Sequence, residues 1–134
     1  LLPGGGHLTY LYAVQRLILP KLAAFKPDIV IVACGFDASG VDPLSRMLCG
    51  SDTFREMTKA LMDFTGNRLV MAHEGGYSEV HVPFCGHHVL QQLSGSEITV
   101  YDPLSSRITA QQPDISLNLL QEKRINEIAG LHQL

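Results

Sequence analysis

Two short apolar runs constrain this chain most: Ile29-Val30-Ile31-Val32-Ala33-Cys34 and Leu69-Val70-Met71-Ala72. Neither alternates with polar residues. Such runs suit strands covered on both faces, as in a parallel sheet. Between them a helix is expected from about Thr53 to Phe64, capped by Ser51 or Asp52, with Phe54, Met57, Leu61 and Phe64 on its apolar face. Gly66-Asn67 stops it. Strand, helix and strand with the usual right-handed crossover form a βαβ unit, so the fold class is α/β.

The flanking segments extend this series. Leu1-Leu2-Pro3-Gly4-Gly5-Gly6 reads as a loop. His7 to Phe25 then places Leu8, Leu11, Tyr12, Leu19, Leu22 and Phe25 near one helical face, with a kink or break at Pro20. Gly35 to Gly50 is a loop, and Gly75-Gly76 opens another. A helix is expected at about Val80–Leu93, ended by Ser94-Gly95. Ile98-Thr99-Val100-Tyr101 reads as a third short strand, and Pro113 to Leu134 as a terminal helix with Ile115, Leu119, Ile125, Ile128 and Leu131 apolar. The 134 residues suit one domain or a piece of one. A chain that opens in a loop without a Met is expected to be a fragment or a processed product.

Composition removes several function classes. Hydrophobic residues at 46% against 17% charged exclude a disordered segment. A net charge of −3 argues against direct nucleic-acid binding. No apolar run approaches the roughly 18 residues of a membrane span. The three cysteines, Cys34, Cys49 and Cys85, show no CxxC spacing and read as thiols of a reducing, cytoplasmic setting.

Ligands of parallel α/β sheets bind beyond the carboxyl ends of the strands. Those ends deliver Gly35-Phe36-Asp37-Ala38-Ser39-Gly40 and His73-Glu74-Gly75-Gly76-Tyr77-Ser78. Asp37 is a candidate metal ligand or general base, and equally a loop-stabilising carboxylate. Tyr77 follows two glycines that turn the backbone tightly, so its phenol could donate to a developing oxyanion. Read alone, a tyrosine there is more often a packing or surface residue.

Together these segments resemble the zinc-dependent histone deacetylase family, in its class II form and that of the bacterial histone-deacetylase-like and acetylpolyamine amidohydrolases. The resemblance rests on Gly35-Phe36-Asp37-Ala38, Asp42-Pro43-Leu44, Arg46-Met47 and Glu74-Gly75-Gly76-Tyr77-Ser78, in order. Pro3-Gly4-Gly5-Gly6-His7 with Tyr10-Leu11, and Val82-Pro83-Phe84-Cys85-Gly86, are similar too, so the match runs from about Leu1 to Tyr101. It implies a three-layer α-β-α, arginase/deacetylase-like fold with a mostly parallel sheet, of which residues 1–134 are a carboxyl-terminal portion. It implies that Asp37 is one of three zinc ligands and that Tyr77 stabilises the oxyanion. Leu44, Gly75 and Gly76 would border the substrate, an acetyl-lysine peptide or an acetylated polyamine or small amide. In such enzymes zinc polarises the amide carbonyl and acidifies a bound water, while paired histidines move protons.

The resemblance implies that the other two ligands come from an Asp-x-His motif on an earlier strand and that the catalytic His-His pair also lies earlier; no Asp-x-His occurs here. His87-His88 lies in the helix after the tyrosine, where adjacent side chains diverge by about 100°. His7, His73, His81 and His132 are isolated, and loop, core or surface roles are expected of them. The chain alone is therefore expected to be inactive, with the rest of the site upstream. Its sheet, open at a buried edge, invites association, including a homo-oligomer. The alternative is a non-catalytic binding or regulatory subunit, or an inactive remnant of the same fold. A nucleotide-binding module, suggested by Gly4-Gly5-Gly6, lacks both GxGxxG and a P-loop lysine. A serine or cysteine hydrolase lacks a GxSxG elbow.

Overall fold

In the computed structural model, which describes residues 1–133, the chain runs through helix α1 (His7–Ala13), a π-helical turn (Val14–Ile18), α2 (Leu19–Phe25), β1 (Val30–Cys34), α3 (Ser51–Thr65), β2 (Leu69–His73), α4 (Val82–Ser94), α5 (Ser105–Ala110) and α6 (Ile115–Leu131). β1 and β2 pair in parallel, from Val30 opposite Leu69 to Cys34 opposite His73. The α/β class follows directly: parallel neighbours need a crossover, and α3 supplies it. Among the described residues no helix is long and apolar enough to cross a membrane.

One face of the sheet meets α3 and α4. Cys34, Phe36, Cys49, Phe54, Cys85 and Val89 form the buried cluster, with Val32, Met57 and Met71 packed against it. Phe36 and Phe54 meet edge to face at 5.2 Å, the arrangement aromatic quadrupoles prefer. The three thiols are free and buried, packing as small hydrophobes. Burial pushes the Cys49 and Cys85 thiols well above their ordinary range. Coverage of both faces does not hold among the described residues: Ile31 is 69% and Val70 46% exposed. The outward residues are apolar all the same, so hydropathy does not distinguish the covered face from the bare one.

Pro20 acts differently from a simple kink. A proline ring clashes with the carbonyl four residues back, and it has no N–H to donate. Here the carbonyl in question belongs to Arg16, inside the π-helical turn, and Pro20 sits in the first turn of α2. The Leu19 N–H donates instead to Val14 O, and this wider turn absorbs the proline.

Three other expectations need correction. Gly50, neither Ser51 nor Asp52, caps α3; the Ser51 hydroxyl is spent on Asp102, 2.6 Å away. Residues 98–101 form no strand. The Ile98 N–H donates to Ser96 Oγ and the Ile98 carbonyl faces His87 Nε2 at 3.2 Å, so local side chains take the groups a ladder would need. Beyond them lies α5, not expected from the sequence, anchored by Ile108 at 2% exposure. The terminal helix starts at Ile115, where Asp114 Oδ1 accepts the Leu117 N–H at 2.9 Å; Leu134, its expected end, lies outside the described residues.

α6 buries Gln121, Ile125 and Ala129, and leaves Ile115, Leu119 and Leu131 exposed. Gln121 explains the choice of face. Its Oε1 accepts the Leu2 N–H at 3.0 Å and its Nε2 donates to the Leu2 carbonyl at 2.7 Å, so a buried amide satisfies an otherwise unpaired backbone. Gln112 does similar work nearby, accepting from the His7 N–H and donating to the Leu48 carbonyl.

Candidate functional site

The backbone continues to interlock past the strand ends. The Glu74 N–H donates to the Cys34 carbonyl at 3.2 Å, and the Phe36 N–H to the Gly75 carbonyl at 2.7 Å. The two loops therefore leave the sheet side by side. A Cβ placed on Gly75 would collide with the Asp37 carboxylate, so this glycine is what lets Asp37 lie there. Gly76 has φ +122°, a conformation L side chains rarely adopt, and a Cβ on it would also press on Phe36 and Val82 at 3.0 Å.

Asp37 is exposed and borders a groove of about 500 Å³ together with Tyr10, Ile31, Ala33 and Glu74. Burial, with smaller contributions from the charges of Cys49 and Asp37, pushes the Tyr10 phenol up, so it stays neutral. Among the described residues no group of three or more His, Cys, Asp or Glu side chains could hold a metal ion. The exposed Asp37 carboxylate could supply one oxygen to a metal ion, whereas a catalytic zinc requires three protein ligands.

Tyr77 is 57% and Leu44 71% exposed. A single buried carboxylate joins their backbones. Asp42 Oδ2 accepts the Tyr77 N–H at 2.7 Å, and Asp42 Oδ1 accepts the Leu44 N–H at 2.9 Å. The structure thus brings Asp37 against Gly75, sets Gly76 against Phe36 and Val82, and ties Tyr77 to Leu44 through Asp42. The tandem histidines go elsewhere. His88 Nδ1 donates to the Phe84 carbonyl, His87 Nε2 faces the Ile98 carbonyl, and the rings stand 81° apart.

Sequence reasoning missed one cluster beneath the loops. His81 is fully buried, with Nδ1 2.6 Å from Ser39 Oγ and Nε2 2.9 Å from Asp102 Oδ2. The Ser51 hydroxyl and the Leu104 N–H also donate to Asp102. Burial works to raise the Asp102 pKa, but the hydrogen bonds from Ser51, His81 and Leu104 outweigh it and hold the carboxyl below its ordinary value. The order Ser–His–Asp imitates a hydrolase triad, yet Ser39 is 1% exposed and no substrate reaches it. The cluster is a brace: it fastens the Asp37 loop, the segment after Tyr77, the start of α3 and the 102–104 turn to one another. No local motif signals it, because its members are dispersed along the chain.

Comparison with known proteins supplies a further set of observations. The model of the histone deacetylase domain matches residues 1–93. A histone deacetylase-like amidohydrolase of Pseudomonas aeruginosa is 50% identical over 134 residues, covering 97% of this chain and 35% of the relative. Histone deacetylase clr3 of Schizosaccharomyces pombe is 36% identical over 92 residues, covering 69% of this chain and 13% of clr3. The chain thus spans about a third or less of the curated relatives it matches. Among solved structures, the HDA15 HD domain superposes with a TM-score of 0.74 at 27% identity, covering 96% of this chain and 33% of that one. The deacetylase Clr3 superposes equally well, at 26% identity, over 96% of this chain and 20% of its own.

Proposed function

Because this chain belongs to the histone deacetylase family, we propose that residues 1–134 are the carboxyl-terminal portion of a zinc-dependent amidohydrolase domain. Its reaction would remove acetyl groups from acetyl-lysine in histones or other proteins, or from acetylated polyamines or small amides. The observation that carries this reading is the contact of the Asp37 carboxylate with Gly75, which puts the acid of one strand end beside the loop that presents Tyr77.

Asp37 would give one carboxylate oxygen to a zinc ion, whose chemistry when bound is to polarise the amide carbonyl and acidify water. Tyr77, exposed and on a fixed backbone, would donate its O–H to the carbonyl oxygen as negative charge gathers there. Leu44 would line the passage for the lysine or amine stem, and Gly75 and Gly76 would let the substrate approach the backbone closely. The other two ligands and the histidine base would come from the upstream part of the domain. The buried free thiols suit a reducing cytoplasm, and the bare sheet face is where upstream elements, or a second copy, would pack.

In the complete protein, Asp37→Ala is expected to abolish stoichiometric zinc in metal analysis, and full zinc content in that variant would overturn the ligand assignment. Gly75→Ala, which pushes on the same carboxylate, should weaken zinc affinity by about 10–100-fold. The 134-residue chain alone is expected to hold no stoichiometric zinc and to have no activity, since one carboxylate competes poorly with water. A complete protein without zinc or turnover would instead support the non-catalytic binding subunit or inactive remnant.

A further inference from the structure

We propose that Asp42 is a positioning residue that sets Tyr77 for the reaction by clamping the phenol loop to the Leu44 loop; this rests on the role proposed above for Tyr77. Asp42 is 7% exposed, and both of its oxygens are committed. Oδ2 receives the Tyr77 N–H at 2.7 Å and Oδ1 the Leu44 N–H at 2.9 Å. A buried carboxylate is costly unless it is bonded, and bonds from amides to a charged oxygen are short and strong. Asp42 thus gathers two exposed side chains, 35 residues apart from its own position in one case, onto one buried group.

The clamp is itself anchored. The Asp42 N–H donates to the Ser39 carbonyl at 3.1 Å, and the Ser45 N–H to the Asp42 carbonyl at 3.3 Å. Ser39 is held in turn by His81 and pairs with Cys49. On the other side, Gly76 at φ +122° precedes Tyr77. The Phe36 N–H fixes the loop at Gly75, and Asp42 fixes it again immediately after the glycines. An exposed phenol gains a defined position only through such backbone restraint. The carboxylate also fits the task better than an amide would: two N–H groups point at it, so an asparagine would turn its own NH2 toward one of them.

The test compares the complete enzyme with Asp42→Asn, Tyr77→Phe and the double variant, measuring zinc content and steady-state kinetics on an acetyl-lysine peptide. Asp42→Asn is expected to lower kcat by about 10–100-fold, the scale of a misplaced reacting group. Zinc content should be unchanged and KM should move far less than kcat. In the Tyr77→Phe background the same substitution should cost little more, because residues acting through one another are not additive. An unchanged kcat in Asp42→Asn, or equal losses in both backgrounds, overturns the clamp. Full turnover in Tyr77→Phe overturns the role of Tyr77 and the clamp with it, a pattern distinct from failure of the clamp alone. Should Asp42→Asn not fold, amide exchange in the unmodified enzyme decides. The Tyr77 N–H should exchange at least about 100-fold more slowly than an open amide, and exchange at the open rate overturns the proposal.

Discussion

On the oxyanion role proposed for Tyr77, Tyr77→Phe in the complete protein is expected to lower turnover by about 10²–10³-fold, the usual consequence of removing one oxyanion donor. The substitution deletes only the hydroxyl. Gly75, Gly76 and the Tyr77 backbone bond to Asp42 are untouched, so zinc content and substrate KM should stay near their original values. Kinetics with a short acetylated peptide, alongside metal analysis, separate the two possibilities. A fall in kcat with zinc retained supports transition-state donation. Loss of zinc, or turnover within a few-fold of the original, would mean that the phenol has another task.

His81→Ala should be strongly destabilising. It leaves the Asp102 carboxylate buried with one donor fewer and opens a void between Ser39 and Asp102, which together cost about 3–5 kcal/mol. Denaturant melts of the complete protein measure this, and a loss below about 1 kcal/mol would show that the brace carries little load. The pH dependence has a definite sign. The Asp102 carboxyl is held below its ordinary value in the folded state, so its contribution is present above the unfolded carboxylate pKa of about 4. That contribution is lost as pH falls through the folded value. Asp102→Asn should therefore lower stability at neutral pH and flatten the acid limb of the stability profile. An acid limb identical to the original would remove Asp102 from the network's energetics.

The parts of the fold legible in the sequence are those built from contiguous residues. The β1–α3–β2 unit could be read because its strands are unbroken apolar runs and Gly66, in the left-handed region at φ 58°, ends the helix between them. The strand ends also located Asp37 and Tyr77 beforehand, since parallel sheets present ligands there. Failures cluster where a side chain replaces a backbone partner. Ser96 and His87 satisfy Ile98 and pre-empt a strand. Gln121 is polar, yet it lies on the buried face of α6 beside Ile125 and Ala129. His81 carried no signal because Ser39 and Asp102 reach it from 42 and 21 residues away. Asp42 belonged to a quoted motif, but that it accepts from the Tyr77 amide follows only from the tertiary fold.

The pairing of Leu2 with Gln121 also has a temporal side. These residues lie 119 positions apart, and synthesis at about 5–20 residues per second separates their emergence from the ribosome by roughly six seconds or more. Throughout that interval the Leu2 backbone must be hydrated or borrowed by something else. The glycine loop that Leu2 leads into can already dock on Arg46 and Leu48, but its final latch waits for α6. Helix α6 thus secures a loop made 119 residues before Gln121, and until α6 arrives the Leu2 backbone stays open to nascent-chain binders.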